Sequence, residues 1–283
     1  PRDLSSSVEL YEADLIDAMP IETLAEEDRV RQRHANDYVT APQNGTELLG
    51  FDLYRPPFDD PRLRQALVLA TDRETLAEVV MRGYHAPATG GLVPPGMPGY
   101  SPGVALPYAP ERARQLLAEA GYPQGRGFPA VDAMTTVGRR AQCEYLQAQW
   151  RQNLGIDISW HTMETRDYFA YFQAPSERLP HLSMYCLTPG FLDPAAFFPL
   201  PTWKGDPMWG NEIYQGLLAQ ATQVMEQRGR IDLYRQADRL QIEQAAILPL
   251  MYNSSHWLIK PWVRGFNLKL GHVHWKDVII KPH

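Results

Sequence analysis

The chain has 283 residues, 44% of them hydrophobic and 21% charged, which is enough apolar sequence to bury a core in one or two domains. Its net charge of −6, with no basic stripe, argues against nucleic acid as the main partner, because that binding rests on neutralising phosphates. Two cysteines are too few for a disulfide framework or a cysteine-based zinc site, and no apolar run of about 18 residues is present to span a bilayer.

Cys143 and Cys186 leave both one bridge and two free thiols open. Residues 1–7 lack the charged-then-apolar pattern of a signal peptide, so either a signal has been removed or the chain begins in mid-protein. The 25 prolines and 20 glycines cluster between periodic segments and point to an ordered, loop-rich fold.

In chain order, residues 9–27 read as mostly helical with a break at Pro20. The charges Arg29, Arg31, Arg33 and His34 are diluted by Glu26, Glu27 and Asp28, as on a solvated helix face. Residues 48–54 alternate as a strand that Pro56-Pro57 stops. Asp60 caps the next helix and Pro61 fits its first position, with Leu63, Ala66, Leu67 and Ala70 forming the apolar stripe. Thr71-Asp72-Arg73-Glu74 reads as a capping box that restarts a helix, with Leu76, Val79 and Val80 inside and Gly83 as the stop.

Residues 90–107 form a long Pro/Gly loop of the kind that often lines binding sites, and Met97 and Tyr100 are its candidate ligand contacts. A short helix over 111–120 ends at Gly121. Strands over 131–137, 156–162 and 181–187 then alternate with helices over 139–154 and 166–173. This βαβαβ order predicts an α/β layer with a largely parallel sheet. Two helices (212–227 and 231–244) and a β-like end (247–252, 256–259) complete the chain, without internal repeats.

Catalytic constellations do not emerge. There is no Gly-x-Ser-x-Gly elbow and no Gly-x-x-x-x-Gly-Lys phosphate loop. Asp59-Asp60 is explained by the helix dipole, and His161 reads as a loop or core histidine. His272 and His274 share one side of a strand, but only Asp277 stands near as a third ligand, so no metal site is predicted. Tyr168, Phe169, Tyr171 and Phe172 form a helix face of core type. Tyr185, Phe191, Phe197, Phe198, Trp203 and Trp209 lie in or after a strand end, where core and ligand readings weigh equally.

The stretch from Pro56 to Leu67, Pro-Pro-Phe-Asp-Asp-Pro-Arg-Leu-Arg-Gln-Ala-Leu, followed by Ala70-Thr71-Asp72-Arg73, resembles the signature of the peptide/nickel class of solute-binding proteins of ABC importers, the oligopeptide-binding protein family. Tyr108 to Tyr122, Asn153-Leu154-Gly155-Ile156, residues 230–240, Ala246 to Leu250 and Lys260 to Gly265 follow in the family's order. The resemblance implies an α/β fold of the type II periplasmic-binding-protein kind. In that fold this chain supplies a complete lobe two and a partial lobe one: residues 1–55 as remnant and hinge crossing, 56–245 as lobe two, and 246–283 as return crossing and tail.

It further implies capture of a peptide or other small solute between two lobes that close like a hinged trap, by a monomer outside the cytoplasm. An ABC permease would be its partner, with no cofactor and no catalysis. The alternative is a sensory or interaction domain of a larger protein that keeps the fold without transport. Peptide-binding members pair the ligand's amino terminus with an aspartate after an aromatic on a lobe-two strand. Here Tyr185 stands at the aromatic and Thr188 at the aspartate, and Asp193 falls in the following turn. Tyr185, Cys186, Thr188, Phe191 and Asp193 are therefore the candidate ligand contacts at this strand end.

Overall fold

The computed structural model describes residues 4–22, 24–171, 180–198 and 209–282. The chain opens with α1 (Leu4–Glu12), β1 (Ala18–Ile21) and α2 (Leu24–Arg33), so a strand interrupts the helix expected over 9–27. Met19 and Ile21 alternate inward, and β1 pairs antiparallel with β7 (Ile247–Ile259), placing Pro20 opposite Trp257. On this edge strand the missing proline N–H breaks no ladder. Val8, Tyr11, Met19, Ile21, Val30 and Leu258 pack together at this end of the molecule.

β2 (Tyr38–Phe51) and β7 are long antiparallel strands running through the whole structure. Their register is regular from Tyr38↔Leu258 to Pro42↔Ser254, shifts between Pro42 and Thr46, and resumes to Gly50↔Ile247. Beyond the shift, β2 continues into a layer with β4 (Val131–Thr136), β5 (Ile158–Met163) and β6 (Leu182–Leu187), in the order β7-β2-β6-β4-β5. The crossovers carry α6 (Arg140–Leu154) and α7 (Thr165–Tyr171). Only β6-β4-β5 is parallel; β2 meets both β6 and β7 antiparallel, which corrects the largely parallel sheet. Local alternation does not encode which distant strand will pair.

One face of this layer packs on α3 (Pro61–Leu69), α5 (Pro110–Glu119) and α6. Asp60 caps α3 as expected, accepting the Arg62 N–H at 2.9 Å. Trp150 of α6 is fully buried and donates to Leu67 O (3.2 Å) and Thr71 Oγ1 (3.0 Å). Thr71 donates back to Leu67 O, and Asp72 is the residue that caps the next turn, accepting from the Thr75 N–H at 3.0 Å. Val79, expected inside, is 68% exposed, because this segment winds as a π-helix (Leu76–Val80) that buries Leu76 and Ala77 instead.

The same region explains the signature stretch. Arg64 is buried and donates to Phe58 O (2.6 Å), Gln244 O (3.0 Å) and Ala245 O (3.0 Å). It thereby satisfies the carbonyls at the end of α9 (Gln227–Glu243), and burial lowers its pKa to about 10. The motif is a joint of the fold.

The opposite face carries the 90–107 loop, α8 (Glu212–Gln223) and α9. Asp238 of α9 anchors the loop: it is fully buried and accepts from the Leu92 N–H (2.8 Å) and from Gln241 Nε2 (2.9 Å). Burial raises its pKa from 3.8 to about 6. A carboxyl with a raised folded pKa keeps its proton to higher pH than the unfolded chain does. Stability from this group is therefore complete below about pH 4 and is lost as pH rises through 6, by about 2–3 kcal/mol. Denaturant midpoints compared between the native chain and Asp238→Asn should show that slope in the native chain alone; equal slopes would refute the assignment.

Candidate ligand-binding site at the end of strand β6

β6 lies against β2 with Tyr185 opposite Leu48, Cys186 opposite Glu47 and Leu187 opposite Thr46. The two-residue period turns Tyr185 and Leu187 toward the core beneath the 90–107 loop, and burial raises the Tyr185 phenol above its ordinary range. It turns Cys186 to the other face, beside Glu47. The strand then ends at an exposed Thr188.

Glu47 is 4% exposed and is met by Arg139, which follows β4 and donates through Nε at 2.6 Å. Arg139 also donates to Thr136 Oγ1 at 2.6 Å. Burial pushes the Glu47 carboxyl up, and the guanidinium offsets part of that shift. Next to this pair, Asn253 of β7 donates from Nδ2 to Cys186 Sγ at 3.1 Å, and Cys186 Sγ lies 3.2 Å from Thr188 Oγ1. Burial raises the Cys186 pKa, so it is a thiol at neutral pH.

Asn253 sits beside the β2–β7 register shift, and the fit there is tight. A Cβ on Gly45 would come 2.7 Å from Asn253 Nδ2 and 2.9 Å from Thr188 Oγ1. Asn44 Nδ2 donates to Pro189 O at 2.8 Å, tying the turn after Thr188 to β2. The end of β6 is thus joined to the point where the two long strands change register.

The structure brings Cys186 and Thr188 together, turns Tyr185 to the opposite face of the strand, and sends the other candidates elsewhere. Phe191 stands 60% exposed on the turn beyond. Asp193 is held by Arg230 in two bonds (3.0 and 2.6 Å) and caps the turn Pro194–Phe197 by accepting from the Ala195 N–H at 2.9 Å. Burial would raise the Asp193 pKa, but these bonds, Arg230 first, lower it on balance. Its carboxylate is therefore engaged in bracing the turn.

Met97, a candidate contact, is 4% exposed in the core with Leu92 and Val93, an apolar side chain drawn under its own Pro/Gly loop. Tyr100 packs edge-on against Tyr252, with centroids 6.0 Å apart, and lines a cavity of about 450 Å³ with Arg235, Gln236 and Arg239. Phe197 and Phe198 are core residues, and Trp209 packs on the same cluster through Tyr214, with ring centroids 5.4 Å apart. Trp203 and Phe172 lie outside the described residues, and of the helix face predicted as core, Tyr168 is buried while Phe169 is 64% exposed. His161 is exposed on β5 at the sheet edge. Both cysteines are free, and no cluster of three His, Cys, Asp or Glu suited to a metal occurs among the described residues.

Glu47, Arg139 and Asn253 were missed from sequence. A charge beside the apolar Leu48-Leu49 and a polar residue straight after the apolar run 247–252 were the available signals. Neither says which strand the side chain will face.

Comparison with known proteins bears on this arrangement. The pattern described as "Bacterial extracellular solute-binding proteins, family 5 Middle" matches residues 2–206. A probable deoxycholate-binding periplasmic protein of Escherichia coli (strain K12) is 31% identical over 257 residues, covering 86% of this chain and 46% of that protein. The dipeptide-binding protein of the same organism is 25% identical over 276 residues, covering 93% of this chain and 51% of that protein. The chain therefore spans about half the length of these curated relatives. Among solved structures, the unliganded open form of the periplasmic murein tripeptide-binding protein MppA superposes with a TM-score of 0.84 at 23% identity, over 99% of this chain and 56% of that one. That likeness is one of fold, and it is the type II periplasmic-binding-protein arrangement expected from the sequence. Because that pattern matches residues 2–206, well over half of its length, the chain belongs to the bacterial extracellular solute-binding proteins of family 5.

Proposed function

We propose that the full gene product is the solute-binding component of an ABC importer, acting outside the cytoplasm on an oligopeptide or a related small polar solute that it binds and releases unchanged. The observation that carries this reading is the placement of the exposed β6 end beside the register shift of β2 and β7, in a chain of this family. A ligand seated on Thr188 would touch the structure where the two crossing strands are least regular, so closure and binding share one point.

In this reading residues 56–245 form one lobe, residues 1–55 and 246–283 contribute to the other, and β2 and β7 are the crossings. The closed monomer is presented to a membrane permease. The relatives are named for deoxycholate and a dipeptide, and others for glutathione and a murein peptide, which supports a small polar or amphipathic solute. The test is calorimetry on the full gene product with dipeptides, tripeptides, glutathione and deoxycholate. At least one should bind with Kd of about 1 µM or tighter, whereas residues 1–283 alone should bind it at least ~100-fold more weakly. Failure of all four would remove the reading, and equal affinity for residues 1–283 alone would remove its two-lobe mechanism.

A further inference from the structure

We infer that the cavity beside Arg73 is a second binding site, separate from the end of β6, and that it takes a small zwitterion of the α-amino-acid class, with its carboxylate on the open nitrogen of Arg73 and its ammonium on Glu74. The cavity has a volume of about 400 Å³, within the range of small-molecule sites. It is lined by residues 71–74, by Ala88 and Thr89, and by the end of the 90–107 loop as far as Tyr108. No residue of β6 or of the crossing strands β2 and β7 lines it, so the inference goes beyond the solute-binding reading and stands without it.

Arg64 and Arg73 are both buried, and neither makes an ion pair among the described residues. All three nitrogens of Arg64 donate to carbonyls, Nε to Ala245 O, Nη1 to Phe58 O and Nη2 to Gln244 O. Arg73 has only two so placed: Nε donates to Pro249 O at 2.8 Å and Nη1 to Leu106 O at 2.7 Å. Its Nη2 has no acceptor among the described residues, yet it is not sealed in the interior as Arg55 Nη2 is. Arg73 is 8% exposed and lines the cavity, so the space left open to Nη2 is the cavity itself. Burial lowers its pKa to about 10, which leaves the guanidinium charged at neutral pH. A buried charge held by carbonyl dipoles alone is costly; an entering anion fills the third donor and supplies the missing countercharge.

The rest of the lining selects among anions. Asp72 spends its carboxylate on the Thr75 N–H at 3.0 Å and the Thr75 hydroxyl at 2.7 Å. Glu74 is exposed, lines the same cavity and makes no ion pair among the described residues. Two carboxylates in the wall repel a phosphate or other dianion. A carboxylate that carries its own ammonium instead meets Arg73 with one end and Glu74 with the other. Both residues reach the cavity from consecutive chain positions, about 3.8 Å apart at Cα, which suits a small ligand whose two charges are borne close together.

The probes are L-alanine, acetate and ethylamine, titrated by calorimetry into the full gene product and its Glu74→Gln and Arg73→Lys variants. L-Alanine should bind the native protein with Kd of about 1 mM or tighter, and at least ~10-fold more tightly than acetate or ethylamine. Glu74→Gln lies at an exposed position and should fold as the native chain does; it should weaken L-alanine by roughly 5- to 10-fold and leave acetate as weak as before. Arg73→Lys should weaken L-alanine and acetate alike, and because Arg73 is buried, circular dichroism checks that variant while Glu74→Gln decides the matter if it does not fold. No binding of L-alanine to the native protein, acetate or ethylamine binding as tightly as L-alanine, or L-alanine affinity unchanged in Glu74→Gln would each overturn the inference. Saturating L-alanine should also leave unchanged the affinity for whichever of the dipeptides, tripeptides, glutathione and deoxycholate binds best. Displacement would place L-alanine between the lobes, which overturns this inference and leaves the solute-binding reading intact. If none of those four binds, that reading fails and the Glu74→Gln result still decides this one.

Discussion

Arg139→Met is expected to lower the free energy of unfolding by about 3–5 kcal/mol near pH 7.5 and by much less near pH 5. Glu47 is nearly inaccessible, and Arg139 supplies the charge that offsets its burial. Without the guanidinium the carboxyl stays where the β2 register puts it, and only a proton can neutralise it. Burial has already raised the folded pKa, so the folded state holds that proton at acidic pH and must give it up, or hold it against the solvent, as pH rises. The loss therefore grows with pH. Denaturant titrations at the two pH values measure it, and Glu47→Gln combined with Arg139→Met should recover most of the stability, since a neutral pair leaves no buried charge. A loss independent of pH, or a double variant no better than the single one, would show that the pair is not what Arg139 contributes.

Gly91→Ala is expected to cost a similar amount for a steric reason. A Cβ at this position would lie 1.8 Å from Asp238 Oδ2 and 2.3 Å from its Cγ, and Asp238 is fully buried and held by two hydrogen bonds. Overpacking of about 1–3 kcal/mol adds to the hydrogen bonds that a displaced Asp238 would lose to Leu92 and Gln241, for a total of about 3–5 kcal/mol. Thermal unfolding should fall by roughly 6–15 °C. Gly216→Ala in α8, where an added Cβ meets nothing, is the control and should be neutral or up to about 1 kcal/mol stabilising. Equal effects of the two substitutions would refute the packing argument.

Elements written in neighbouring residues were legible. Asp60 and Pro61 announce α3 because a cap and a proline N1 position act over one turn, and the structure has both. The alternating strands and helices from 131 to 187 were also found, to within a few residues at their ends. Residues 9–27 were misread, because Met19-Pro20-Ile21 satisfies a helix face as readily as an edge strand until β7 is there to pair with it. The two terminal strand segments proved to be one strand, β7, since pairing along β2 carries it through the polar residues 253–255.

The site divides in the same way. Tyr185, Cys186 and Thr188 are consecutive or nearly so, and a strand end shows in the sequence. Glu47, Arg139 and Asn253 come from three other strands or their ends, and only the pairings of β2 with β6 and β7 and of β4 with β6 bring them to Cys186. Asp193 was placed in the turn after β6 as a candidate contact, and only the structure shows that Arg230, 37 residues away, holds it and that Met97 is buried under its own loop. By itself the sequence determined the elements, their order and the family, because capping, periodicity and chain order are properties of neighbouring residues. The tertiary structure decided which polar groups at the strand end are paired, because a hydrogen bond or an ion pair depends on distance in space and these partners are separated by up to 145 residues of chain.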